Sequence, residues 1–342
     1  MVKAIASEAE LDDLLSDPPA AVREALDGLR GDIVVLGAGG KMGPTLARMA
    51  RRALDAAGRP HAVYAVARFS DARVRKHLEN AGVRTLSGDL TKRADVDRLP
   101  DAAAVVFMAG AKFGTTADAA RTWVTNCHAS SLAAERYAGV ATVVFSTGNV
   151  YPLVPVASGG ATESTPPAPI GEYAQSALGR ERIFELFARE RGTPAVIYRL
   201  NYAVELRYGV LVDIARKVWS GEPIELGMGY VNCIWQGDAN ALALRCLSLV
   251  RRPPLVVNVT GPETSSVRAL AERFGEIFGQ TPILVGEEEP TALLSDSSLA
   301  CELFGRPATD LGDVIEWVAE WIRRGGPTLA KPTRFEARDG RF

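Results

Sequence analysis

The chain has 342 residues, of which 47% are hydrophobic and 23% charged, and its 39 basic and 41 acidic side chains leave a formal net charge of −2. That is enough apolar material for one large domain with a lobe or for two domains, and no long single-charge block signals disorder. Near-neutrality excludes an electrostatic nucleic-acid footprint as the main function, and with no continuously apolar window of ~20 residues no membrane span is expected.

Residues 1–30 read as an added helical extension. Ser7 with Glu10 fits a capping box. Pro18 and Pro19 can open a second helix, which is expected to pack on the outside of the main domain. No basic segment followed by an apolar run is present, so no secretory signal is expected.

From Asp32 the rhythm changes. Apolar, β-branched runs at 33–37, 61–68, 83–90, 103–110, 141–148 and 193–201 read as buried strands, and amphipathic stretches between them, one around Arg121–Tyr137, read as helices. The alternation predicts right-handed βαβ crossovers and a doubly wound α/β domain over 31–200, its parallel sheet covered on both faces. After Asn201 the regularity loosens into a smaller C-terminal lobe over 201–342, in which 236–262 is expected to return to the sheet. Helices are predicted at 266–279 and 313–326, and the polar tail 331–342 is expected to pack only partly.

The four cysteines (127, 233, 246, 301) lie far apart, and none of the three histidines forms an i,i+4 pair, so no metal site is predicted. Reduced thiols fit a cytoplasmic location.

Between the first strand and the first helix of the sheet stands Gly37-Ala-Gly39-Gly40-Lys41-Met42-Gly43. Glycines at 37, 40 and 43 give GxxGxxG, with Gly39 adding GxG. This spacing suits a tight turn, close approach of a pyrophosphate to the backbone, and a helix packed tightly on its strand. The helix N-terminus would offer unpaired N–H groups to the phosphates. At the end of the second strand, where a carboxylate would bind the adenosine ribose and repel a 2′-phosphate, the sequence has Arg68 and Ser70, with no acid before Asp71. Arg68 can pair with a 2′-phosphate. The sequence therefore favours NADP over NAD and leaves both open.

From about residue 32 to 325 the chain resembles the extended short-chain dehydrogenase/reductases, the NAD-dependent epimerase/dehydratase family. The glycine loop looks like that family's nucleotide loop. Gly88-Asp89-Leu90 resembles its adenine-holding strand end, and Met108-Ala109-Gly110-Ala111-Lys112 the segment along the nicotinamide ribose and pyrophosphate. Asn126 matches the family's helix asparagine. The strand Phe145–Pro152 resembles the one ending in the catalytic hydroxyl, which falls on Thr147 with Ser146 beside it, and Tyr173 matches the active-site tyrosine.

Arg199-Leu-Asn201-Tyr202 resembles the strand-end motif near the substrate, and Arg207-Tyr208 reads either as a grip on a sugar or anionic group or as a surface turn. The resemblance implies a Rossmann fold and a hydride passing between nicotinamide and a carbon of a sugar, sugar acid or sugar nucleotide. It also implies Tyr173 exchanging the oxygen-bound proton, Thr147 polarising that oxygen, and a homodimer. Trp219, Trp235 and Tyr202 read as cleft or core, and Glu172 as a base or a helix-start carboxylate.

One departure matters. The family pattern is YxxxK, and the fourth residue after Tyr173 is Ala177. A cation beside tyrosine favours the phenolate; without one, with a pKa near ~10, roughly a thousandth is phenolate at neutral pH. Lys112 or Arg180 can bring a cation from another direction, the tyrosine can serve only as an acid or a carboxylate such as Glu172 act as base, or the fold can be a cofactor-binding sensor without turnover.

Overall fold

Apolar runs bounded by turns, with no alternation to polar residues, are what strands buried on both faces require. Seven such strands form one parallel sheet: β1 (Ile33–Leu36), β2 (Val63–Ala67), β3 (Arg84–Ser87), β4 (Ala104–Phe107), β5 (Ala141–Thr147), β6 (Ala195–Leu200) and β7 (Leu255–Val259). Their spatial order is β3-β2-β1-β4-β5-β6-β7, every neighbour parallel. The computed structural model describes residues 5–331 and 333–341; Pro332 and Phe342, in the predicted tail, lie outside them.

Successive side chains of a strand point to opposite faces, and β1 shows the result. Ile33 and Val35 enter a core with Val22, Leu46 and Leu244, whereas Val34 and Leu36 enter another with Leu132 and Phe184. The first face is covered by α2 (Ala20–Asp27), α3 (Gly43–Ala56) and α9 (Gln236–Arg245). The second is covered by α6 (Ala129–Arg136) and the long α7 (Gly171–Arg191), with α5 (Ala119–Trp123) packed against α7; α4 (Ala72–Asn80) links β2 to β3. Between α5 and α6 the helix widens into one π-helical turn, Val124–His128.

The lobe is built on α8 (Val210–Ser220), α10 (Val267–Phe278) and α11 (Leu311–Arg323), which enclose a separate core including Ile214, Phe274 and Val318. The chain passes back from the lobe through α9 into β7 at the sheet edge.

The N-terminal extension packs against the outer helices α3 and α9 and is tied into both cores. Leu11 and Leu15 of α1 (Glu8–Leu15) are buried in the lobe core, and Val22 and Leu26 of α2 in the sheet core. Ser7 Oγ caps α1 by accepting the Glu10 N–H at 3.2 Å, while the Glu10 carboxylate reaches back to the Ala6 N–H at 2.7 Å. Acidic residues on α1 also engage Arg48 and Arg207.

The tail is also more firmly held than its polarity implies. Phe335 is buried in the lobe core, and the Thr333 N–H and hydroxyl both donate to Asp213, at 2.7 and 2.6 Å. Arg338 donates to the Gly227 and Thr291 carbonyls at 2.9 and 2.7 Å. Fixed partners for backbone and guanidinium groups hold a polar segment in place where apolar content alone would not.

Beneath the carboxyl ends of β5, β6 and β7 runs a buried polar chain. Glu181 on α7 accepts two bonds from Arg199, at 2.9 and 2.6 Å, and one from Ser146; Arg199 also donates to the Tyr151 hydroxyl at 2.7 Å, which donates to Asn258 at 2.8 Å. With Glu181 fully inaccessible, each polar group needs its partner. Arg199→Met leaves the carboxylate buried and unpaired, so it is expected to cost about 3–5 kcal/mol in chemical denaturation. A loss below about 1 kcal/mol would show the pair to be dispensable.

Candidate active site

In an open α/β sheet ligands bind beyond the carboxyl ends of the strands, where the strand order reverses. Here that point lies between β1 and β4, where the glycine loop and the Ala109–Lys112 segment meet. Gly37 has φ of +87°, and a Cβ there would lie 2.5 Å from Ala109 backbone atoms; one at Gly43 would lie 2.5 Å from the Ala38 backbone. Both positions are small because the protein itself leaves no room. Gly40 differs: it is exposed, has no positive φ, and a Cβ would find nothing nearer than the Gly37 carbonyl oxygen at 3.6 Å. Its open side faces away from the fold.

Beside the loop a cleft of about 520 Å³ is lined by Arg68, Asp89, Thr91, Gly110, Ala111 and Phe113, among others. Arg68 is exposed and makes no ion pair among the described residues. Asp89 accepts from the Thr91 N–H and hydroxyl at 3.0 and 2.7 Å; these bonds hold its carboxyl below the usual range, with the charges of Lys92 and Arg68 adding to the effect. Leu90 and Met42, read as cofactor contacts, put their side chains into the core. A smaller cavity of about 150 Å³ beside Cys233, Gly261 and Arg306 holds no residue of this site.

Two lysines converge from the loops that follow β1 and β4. The Lys41 ammonium donates to the Ala203 carbonyl at 2.6 Å and lies 4.7 Å from the Tyr208 ring centre. Lys112 reaches the Thr333 carbonyl at 3.5 Å and lies 5.6 Å from the Phe113 ring centre. Loss of hydration lowers both ammonium groups to about 8; Glu205 opposes this at Lys41 and Asp213 at Lys112, while Lys112 further repels Lys41. Nothing in the sequence around Asp213 or Thr333 marks them, because they come together only through the fold of the tail.

Tyr173 and Thr147 meet. Tyr173 lies in the first turn of α7, and Thr147 ends β5, where the chain turns sharply through Gly148–Val150. Thr147 Oγ1 accepts from the Asn149 N–H at 3.2 Å and from Asn149 Nδ2 at 3.0 Å, which occupies its lone pairs and leaves its own proton for the Tyr173 oxygen. Burial pushes the Tyr173 hydroxyl above its ordinary range, while that hydrogen bond and the charge of Arg180 pull it back. Ser146, Thr147's neighbour, is spent on Glu181.

Asn126, in the π-helical turn, joins the parts. Its Oδ1 accepts from the Ala111 N–H at 2.8 Å and from Arg180 at 3.1 Å; its Nδ2 donates to the Ala111 carbonyl at 3.1 Å and to Ser176 Oγ at 2.8 Å. π-Helical turns recur at functional sites because they re-aim one side chain without ending the helix.

The residues expected to contact substrate already have partners within the protein, and Asn201 lies against Gly148 beside Thr147. Arg207 is held by Glu205 at 3.1 Å and Asp12 at 2.9 Å, with Glu8 at 3.5 Å, so its guanidinium docks α1 to the lobe. Asn201 Nδ2 donates to Asn232 at 3.0 Å and the Leu293 carbonyl at 3.4 Å. Tyr202 (φ +44°) packs against the lobe core. Trp235 packs on Trp317 and Trp219 on Phe278, and the Glu172 carboxylate accepts from the Trp123 indole. Among the described residues there is no group of three or more acidic, His or Cys side chains able to hold a metal ion, and no helix long and apolar enough to cross a membrane.

Residues 33–216 match the model of the NAD dependent epimerase/dehydratase family. The chain belongs to that family. Solved structures of the same fold include a UDP-glucose 4-epimerase with UDP-glucose from Thermotoga maritima (20% identity, 86% of this chain and 99% of that one, TM-score 0.70). The Bordetella bronchiseptica enzyme WbmG in complex with NAD and UDP is similar as well (22% identity, 90% and 98%, TM-score 0.71). So is a UDP-glucuronic acid 4-epimerase from Bacillus cereus in complex with UDP-glucuronic acid and NAD (18%, 86% and 99%, TM-score 0.71). At these identities the likeness establishes the fold. No protein of curated function matches the chain in sequence.

The contrast between Gly40 and Gly43 gives a test. Gly40→Val is expected to keep stability within about 0.5 kcal/mol, as an exposed position allows, and to weaken dinucleotide binding at least about tenfold. Gly43→Ala is expected to cost about 1–3 kcal/mol through overpacking. Calorimetric melting and fluorescence titration with NAD and NADP read the two effects separately.

Proposed function

We propose that the protein is an NAD(P)-dependent oxidoreductase of the epimerase/dehydratase type that acts on a sugar nucleotide or related anionic sugar. The observation that carries this reading is the Thr147–Tyr173 hydrogen bond at the sheet's carboxyl edge, beside the Gly110–Lys112 segment and in reach of the Arg180 charge. The residues present fit a dinucleotide: Gly37–Gly43 with the start of α3 for the pyrophosphate, Arg68 and Asp89 for the adenosine, Gly110 and Lys112 for the nicotinamide half.

A bound nicotinamide supplies hydride transfer to or from a sugar carbon. Tyr173 gives or takes the proton on that carbon's oxygen. Thr147, its acceptor sites filled by Asn149, donates its hydroxyl proton to Tyr173 and favours the phenolate. Lys41, reaching from the glycine loop to Ala203 and Tyr208 at the lobe, puts a cation on the substrate side and favours an anionic sugar over a neutral one. The nucleotide sugars held by relatives of the same fold agree with that class. Four free thiols support a reducing, cytoplasmic compartment.

Purified protein incubated with nucleotide sugars, followed by nicotinamide absorbance and product epimer analysis, tests the reading. Tyr173→Phe is expected to lower kcat at least about 100-fold, and full activity in that variant would remove the mechanism. For the cofactor, exposed Arg68, just past a strand whose own end carries no acid before Asp71, supports NADP. Arg68→Ala is expected to weaken NADP at least about tenfold and NAD little. Tighter binding of NAD than NADP by the unaltered protein would reverse that preference.

A further inference from the structure

We infer that Arg180 is the cation that activates Tyr173, acting from two turns further along the same helix. The inference rests on the reading of Tyr173 as the proton-exchanging group. Seven residues span about two turns of α-helix and return to nearly the same face, so the tyrosine and the arginine both look toward the ends of β4 and β5.

The guanidinium is only 5% exposed. Its Nη1 donates to the Phe145 carbonyl at 2.7 Å and its Nη2 to Asn126 Oδ1 at 3.1 Å, while Nε has no acceptor among the described residues. Both acceptors are neutral. Among the described residues no carboxylate forms an ion pair with Arg180, and the nearest in sequence, Glu181, is bound by Arg199 and Ser146. The positive charge is therefore withdrawn from water without a direct ion-pair partner, although the charge of Glu181 still favours it. That arrangement is costly, and a neutral side chain would make the same two hydrogen bonds more cheaply. What a charge adds here is to favour the ionised form of the acidic groups that face it, the Tyr173 hydroxyl and, on the neighbouring π-helical turn, the Cys127 thiol.

The surroundings are shaped to admit it. A Cβ at Gly110 would lie 2.6 Å from Arg180 Nη2 and 3.2 Å from Asn126 Oδ1, so the small residue in the turn after β4 is what lets the guanidinium in. Residue 177, by contrast, is buried in an apolar cluster with Val150, Tyr151, Met228 and Leu293. An alanine suits that cluster and a charge would not. The electrostatic balance agrees with the geometry: burial raises the Tyr173 hydroxyl, and the Thr147 bond and Arg180 lower it. Acting through Tyr173 and not on substrate, Arg180 is a positioning residue.

The test is a pH titration of protein labelled at tyrosine Cζ with carbon-13, followed by NMR, with Tyr173→Phe assigning the signal. Arg180→Gln is expected to raise the Tyr173 midpoint by about one unit or more, and Arg180→Lys to stay within about half a unit of the unaltered protein. Where turnover is measured, kcat near neutral pH should fall about tenfold per unit, while the dinucleotide Kd changes less than about threefold. A folded Arg180→Gln protein whose Tyr173 titrates as before, or an Arg180→Lys protein shifted as far as the glutamine variant, overturns the inference. Should Arg180→Gln fail to fold, the unaltered protein decides: Tyr173 must titrate before Tyr202 and Tyr208, which lack this cation, and the reverse order overturns the inference. The titration needs no turnover. A cation-dependent Tyr173 in a protein that converts no sugar would leave this assignment standing and remove the proposed activity.

Discussion

The carboxamide of Asn126 makes four hydrogen bonds to three parts of the chain: the turn after β4, the first turns of α7, and Arg180. An amide offers both donors and acceptors, so one neutral group can bind a backbone N–H, a backbone carbonyl, a hydroxyl and a guanidinium together. A carboxylate could not donate, and an ammonium could not accept. Because Asn126 is fully buried, breaking any of these bonds would strand a polar group away from water. The relative placement of Tyr173, Gly110 and Arg180 therefore depends on one side chain, aimed by a single widened helical turn.

The strands and their parallel order were legible because burial on both faces writes itself into a sequence as uninterrupted apolar runs. The glycine loop was legible too, since close backbone approach excludes every larger residue. Motif spacing singles out Tyr173 and Thr147, and a hydrogen bond joins them. What could not be read was direction. Arg207 sits in a segment that could face a ligand or a neighbouring helix, and only the fold shows that Glu8, Asp12 and Glu205 surround it. Asn201 was identified by resemblance, yet its amide is committed to Asn232 and Leu293.

The tail shows a further limit. Its residues are polar, and polarity signals exposure only when partners are not waiting. Asp213 and the carbonyls of Gly227 and Thr291 lie 47 or more positions before the tail residues they bind and become partners only after the lobe has folded. The helix around Tyr173 was more informative than it looked. The absence of a lysine at 177 and the presence of an arginine one turn beyond are both sequence facts, and helical periodicity connects them. Deciding between Arg180 and Lys112 required knowing which of them faces Tyr173.

The two N-terminal helices, which precede the segment matching the family, set a mechanical condition on the whole molecule. Leu11 and Leu15 are fixed in the lobe, Val22 and Leu26 in the sheet domain, and only residues 16–19 join the two helices. Swinging the lobe away from the sheet would have to pull one pair of side chains out of its core, at about 1.5–3 kcal/mol for each. The extension thus staples the lobe to the sheet domain. Enzymes that close over a ligand gain selectivity from the closing motion. Here the gap between lobe and sheet is largely set before any ligand arrives, so discrimination falls to the shape of the cleft and to small movements of side chains along its rim.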